Sequence, residues 1–153
     1  MGDHPEELLE APLVIEYPFN RTTGPVIGTF LTALRDRRIV GIKAADGSVV
    51  CPPVEYDPTS GAPLTEMVPV GTEGEIVTWT WVSRPRDGQP LSDPHGLALI
   101  RLDGADTAML ACVAAEGPDR LRTGARVAVR WADEPEGLIT DIVCFDLVEE
   151  DAS

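Results

Sequence analysis

The chain has 153 residues, 43% of them hydrophobic and 25% charged, with a net charge of −14. That is the size of one ordinary domain or two small lobes, and the composition excludes a disordered chain. An acidic chain without a basic stripe is also a poor candidate for electrostatic binding of nucleic acid. No apolar run reaches the roughly eighteen residues that a membrane-crossing helix needs. Residues 1–16 hold five acids and residues 133–153 hold eight, with no Lys or Arg in either stretch. Such ends aid solubility or steer onto a basic partner.

The N-terminus, Met1 to Glu7, is acidic where a signal peptide would be basic, so a cytoplasmic protein is expected. Pro5 to Glu10 fits a short helix, and Leu13 to Tyr17 a short extended piece ended by Pro18. Gly24 to Arg38 is predicted to be an amphipathic helix. Pro25 suits its first turn, and Val26, Ile27, Phe30, Leu31 and Leu34 recur at i, i+3 and i+4 spacing. That apolar face either packs inside the chain or docks a partner. Arg35, Arg37 and Arg38 gather at its C-terminal end, where the helix dipole favours cations.

Residues 40–66 are expected to form a small lobe with two knuckle-like turns of the form x-a-a-x-Gly, at 43–47 and 57–61. A zinc ribbon would place cysteine at positions 43, 46, 57 and 60, because each tight turn gives two thiolates to a tetrahedral metal. Here those places hold Lys43, Asp46, Asp57 and Ser60. A protonated lysine has no lone pair to give, and the rest are hard oxygens poorly matched to zinc. No metal is therefore expected, and a Lys43–Asp57 or Lys43–Asp46 ion pair would help order the lobe. Cys51, followed by the rigid Pro52-Pro53, stands without a second local ligand.

From Gly74 onward the pattern is β. Glu75 to Val82, Leu97 to Leu102, Thr107 to Val113, Val127 to Trp131 and Leu138 to Phe145 read as five strands. Asp103-Gly104 is a hairpin signal between the second and third. Five strands at this spacing fit a closed OB-type barrel. The fold class expected is mainly β: an N-terminal segment with a helix (1–39), a degenerate ribbon lobe (40–66), an OB-fold (67–148) and an acidic tail (149–153). In the polar loop after the first strand, Arg84 and Arg86 bracket Pro85, and His95 follows. Two guanidiniums there would suit a phosphate or carboxylate. Only His4 and His95 could act as a histidine base, and no nucleophile–base set is spelled out by spacing.

The helix with Gly24-Pro25 ahead of Phe30-Leu31, the knuckle frame around Val49 to Pro53, and Gly74 to Thr80 resemble the domain-of-unknown-function-35 family. Pro94 to Gly104 and Leu121 to Val129 are similar to that family's barrel. The likeness spans residues 20 to 145. It implies a rubredoxin-like zinc ribbon joined to an OB-fold, partnered with a thiolase-like enzyme acting on acyl-CoA in lipid or steroid metabolism. This chain departs from the pattern at all four cysteine positions. The function expected is a non-catalytic accessory subunit of a lipid-transfer-protein-type thiolase or aldolase that helps bind acyl-CoA. The alternatives are a stand-alone thioesterase or hydratase, or an OB-fold binding single strands.

Overall fold

The computed structural model describes residues 12–16, 18, 20 and 22–148. The helix expected at Pro5 to Glu10 and the acidic tail lie outside them. Pro12 to Glu16 form neither helix nor strand, and Leu13, Val14 and Ile15 are exposed. Among the described residues no helix is long and apolar enough to cross a membrane.

The helix α1 spans Gly24–Arg35, with Pro25 in its first turn. It stops three residues short of the expected end. Arg37 takes a left-handed conformation with φ of 55°, and the Arg38 amide bonds back to the Ala33 carbonyl at 2.9 Å. A C-terminal closure of this kind normally recruits glycine. Here the Arg37 guanidinium donates to the Asp133 carbonyl at 3.0 Å, tying the helix end to a distant loop.

Three antiparallel strands follow: β1 (Ile39–Lys43), β2 (Val49–Val50) and β3 (Met67–Val70), in the order β2-β1-β3. Met67–Val70, expected at the start of the barrel segment, thus pairs with β1 in the small sheet. The barrel itself comprises β4 (Glu73–Val82), β5 (His95–Leu102), β6 (Met109–Ala114), β7 (Arg126–Trp131) and β8 (Ile142–Leu147). It closes in the order β4-β5-β6-β8-β7, with β6 and β8 the parallel pair. Closure removes the sheet edges that would otherwise invite pairing with another chain. Among the described residues the fold is mainly β, with one α-helix and a five-stranded OB-type barrel, as the sequence predicted.

All five barrel strands start one to four residues away from expectation. β5 begins at His95, and β6 begins at Met109 rather than Thr107. Leu138 to Asp141 lead into β8 as a 3₁₀ turn over Ile139–Asp141. Gly74 sits where β4 crosses β5 closely: a Cβ there would stand 2.4 Å from the Arg101 carbonyl oxygen. Ion pairs Arg101–Glu75, Arg126–Asp103 and Arg130–Asp146 lie along the barrel exterior.

The core joins both lobes. Ile76, Ile100, Leu102, Val113, Val127 and Phe145 fill the barrel, and Phe30 and Leu34 of α1 belong to the same cluster. Val26 packs with Ile42 and Leu64 in a second cluster under the small sheet. Leu31 packs against the main core, while Ile27 is half-buried. The predicted docking face of α1 is therefore closed. Its apolar stripe is covered by this chain's own strands, and a partner cannot reach Val26, Phe30 or Leu34.

Candidate functional site

Both knuckle frames fold as turns. The Gly47 amide bonds to the Ala44 carbonyl at 3.0 Å and the Gly61 amide to the Asp57 carbonyl at 2.9 Å. Both glycines are left-handed, with φ of 89° and 70°, which is why glycine ends each frame. The four positions where a zinc ribbon would carry cysteine are otherwise engaged. Asp57 is buried at 5% exposure; its Oδ2 accepts from the Ala45 amide at 3.0 Å. Its Oδ1 accepts from the amides of Thr59 at 2.9 Å and Ser60 at 2.8 Å. The Ala45 amide, then those of Ser60 and Thr59, hold the carboxyl down at about 2, outweighing desolvation.

Asp46 caps its own turn, accepting from the Ser48 hydroxyl at 2.6 Å and the Ser48 amide at 2.9 Å. Ser60 Oγ accepts from the Ala62 amide at 3.3 Å. Lys43 pairs with Glu66 at 3.4 Å, not with Asp46 or Asp57 as expected. Its position at the end of β1 places it beside the residue preceding β3, across the sheet. An exposed pair of this kind contributes about 0–1 kcal/mol. One ammonium and three oxygen side chains already turned to other partners do not fit a tetrahedral zinc site. No group of three or more His, Cys, Asp or Glu is placed to hold a metal among the described residues.

Arg84 and Arg86 are exposed on the loop leaving β4. That loop is turned by Gln89, whose side-chain oxygen accepts from the Arg86 amide at 3.0 Å. His95 is not brought to them. It is 1% exposed, and its Nδ1 donates to the Asp93 carbonyl at 2.8 Å. A ring so enclosed and already bonded to backbone is unavailable to a surface phosphate, which corrects its grouping with the two arginines. Cys51 is likewise a core residue. Burial pushes its thiol up to about 11, so it carries no thiolate at neutral pH.

The sequence left one surface unremarked: the outer face of the barrel. On β5, residues 96, 98, 100 and 102 point inward, leaving Leu97 and Leu99 outside. The register sets Thr78 beside Leu99 and Leu99 beside Leu110, with Thr80 beside Leu97 and Leu97 beside Cys112. Leu110 is 63% exposed and Ile139 52%. Where β6 and β8 diverge, a groove of about 500 Å³ opens among Leu97, Met109, Leu110, Ile139, Ile142 and Val143. Cys112 and Cys144 also line it. Burial raises both thiols, so they act as small apolar groups. Gly88 and Pro90 of the arginine-bearing loop form one rim.

The turn at Ile139–Asp141 is held by Asp141. Its buried carboxylate accepts from the amides of Glu136 at 3.0 Å, Gly137 at 2.7 Å and Leu138 at 3.0 Å. Burial pushes this carboxyl up, but the three amides outweigh that and leave it lowered. The periodicity of 138–145 suits a strand, and nothing in it marks Asp141 as a cap.

Three comparisons bear on this arrangement. Residues 67–132 match the family described as ChsH2, C-terminal OB-fold domain. A DUF35 domain-containing scaffold protein of Pyrococcus furiosus is 28% identical over 107 residues, 67% of this chain and 77% of that one. Among solved structures, a DUF35-family protein of unknown function from Sulfolobus solfataricus has a TM-score of 0.59 at 19% identity. It covers 82% of this chain and 85% of its own. The Ltp2-ChsH2(DUF35) aldolase gives 0.57 at 18%, covering 86% of this chain and 97% of that chain. At these identities the structures speak to the fold alone. With its barrel, matched domain and relatives taken together, this chain carries an OB-fold over residues 67–132 and is similar to proteins of the DUF35 family.

Proposed function

We propose that the chain is a non-catalytic accessory subunit that docks a thiolase-like enzyme, of thiolase or aldolase type, through the outer face of its barrel. One observation carries this reading. Leu110 and Ile139 line an apolar groove at 63% and 52% exposure, with Leu99 beside Leu110 across the register and Leu138 preceding Ile139, both also more than a third exposed. Contiguous exposed apolar surface of this kind marks an interaction site. Support comes from the relative named as a scaffold protein and from the fold shared with the Ltp2-ChsH2(DUF35) aldolase.

In the same reading the groove supplies an apolar wall for the acyl part of a coenzyme A thioester in lipid or steroid metabolism. Arg84 and Arg86, free of ion pairs among the described residues, lie on its rim loop and meet the phosphates. Three free cysteines suit a reducing cytoplasm. A stand-alone hydrolase or hydratase finds no support: His95 is spent on a backbone carbonyl, and all three thiols are raised.

The test is reconstitution with a thiolase-like enzyme encoded in the same genome. Wild-type chain is expected to co-elute with it, and Leu110→Arg is expected to weaken the complex at least roughly tenfold, as removing a buried apolar anchor does.

A further inference from the structure

The frame of a zinc ribbon without its ligands raises the question of what joins the two knuckles. In a metal-holding ribbon the ion is the only strong link between the turns, and such lobes unfold without it. In this chain the link is a side chain. We propose that the Asp57 carboxylate performs the structural task of the missing zinc, pinning both knuckle turns through their backbone amides. One oxygen reaches the first knuckle at Ala45, and the other collects the Thr59 and Ser60 amides of the second.

The pin is itself enclosed, and Asp57's own backbone is tied to Ala62 at 2.8 Å. Charge-assisted bonds from amides to a shielded carboxylate are roughly twice as strong as neutral ones. Three of them share a single anion, so the lobe's order is independent of any cation. The exposed Lys43–Glu66 pair on the adjoining strands is peripheral to the pin and contributes little. Further anchoring comes from the barrel. The loop after β5 ties to the edge of β2: Asp106 Oδ2 accepts from the Val49 amide at 2.8 Å, and the Asp106 amide donates to the Val49 carbonyl at 2.8 Å. Thr107 Oγ1 accepts from the Cys51 amide at 2.8 Å and donates to the Cys51 carbonyl at 3.0 Å.

The full chain, purified without added metal, tests the proposal by elemental analysis, thermal melting with and without EDTA, and amide hydrogen exchange at neutral pH. Far less than one zinc per chain, an unchanged Tm in EDTA, and slow exchange at Ala45, Thr59 and Ser60 are expected. Asp57→Asn should speed exchange at those three amides roughly tenfold or more, whereas Ser60→Ala should leave Ala45 unaffected. Stoichiometric zinc whose removal lowers Tm, or fast exchange at the three amides in the wild-type chain, would overturn it. The wild-type measurements decide the matter even if Asp57→Asn does not fold.

Discussion

Asp141 and Asp57 show how far one side chain's task depends on what its neighbours leave unpaired. Each carboxylate collects amides from a turn that cannot satisfy them itself. For Asp141 the pH consequence has a definite sign. Its folded pKa lies below the unfolded value of 3.8, so its stabilisation is complete above about pH 4 and fades as pH falls below that. Asp141→Asn should therefore lower Tm by a few degrees at pH 7, at roughly 2–4 °C per kcal/mol for a domain of this size. The gap to wild type should narrow as pH falls from 4 towards 2, as thermal melts across that range would show. Neither aspartate's role was legible in the sequence. Spacing placed Asp57 where a ribbon would carry cysteine and Asp141 inside an expected strand, and burial belongs to the fold rather than to the local pattern.

Among the elements, α1 was read correctly as an amphipathic helix, with its apolar face left either to pack inside the chain or to dock a partner. Periodicity shows that one side is apolar; it does not say which strands cover it. Phe30 and Leu34 lie in the main core at 4% and 0% exposure. Phe30→Ala should cost about 3–5 kcal/mol and Leu34→Ala about 2–5 kcal/mol, read from urea denaturation. If the helix face were a docking surface instead, either change would spare stability and weaken partner binding. The loop between β5 and β6 is a second lesson. Asp103-Gly104 promised a tight hairpin, and Gly104 is indeed left-handed at φ 87°. The chain then continues through Asp106 and Thr107 to clasp the small sheet, a long-range bond no local signal announces. Thr107→Val keeps the shape and strands the part-buried Cys51 amide, a loss of about 1–3 kcal/mol measurable by the same denaturation.

At the scale of the whole molecule, barrel closure and a shared core leave an apolar surface uncovered on the outer face of β5 and β6. The five-strand barrel was legible because strand period and turn spacing repeat through residues 75–145. The leucine face was not, since Leu97, Leu99 and Leu110 look in sequence like any strand's core residues until the register shows them pointing outward. The proposal to be tested is that this face docks a thiolase-like enzyme. Its most direct test is sedimentation of the chain with a thiolase-like enzyme from the same genome, comparing wild type with Leu110→Arg. At 63% exposure that change should move folding stability by no more than about 0.5 kcal/mol. A stable complex formed by wild type and lost in the equally stable variant is the predicted result. No complex with wild type, or one indifferent to the arginine, would contradict the account.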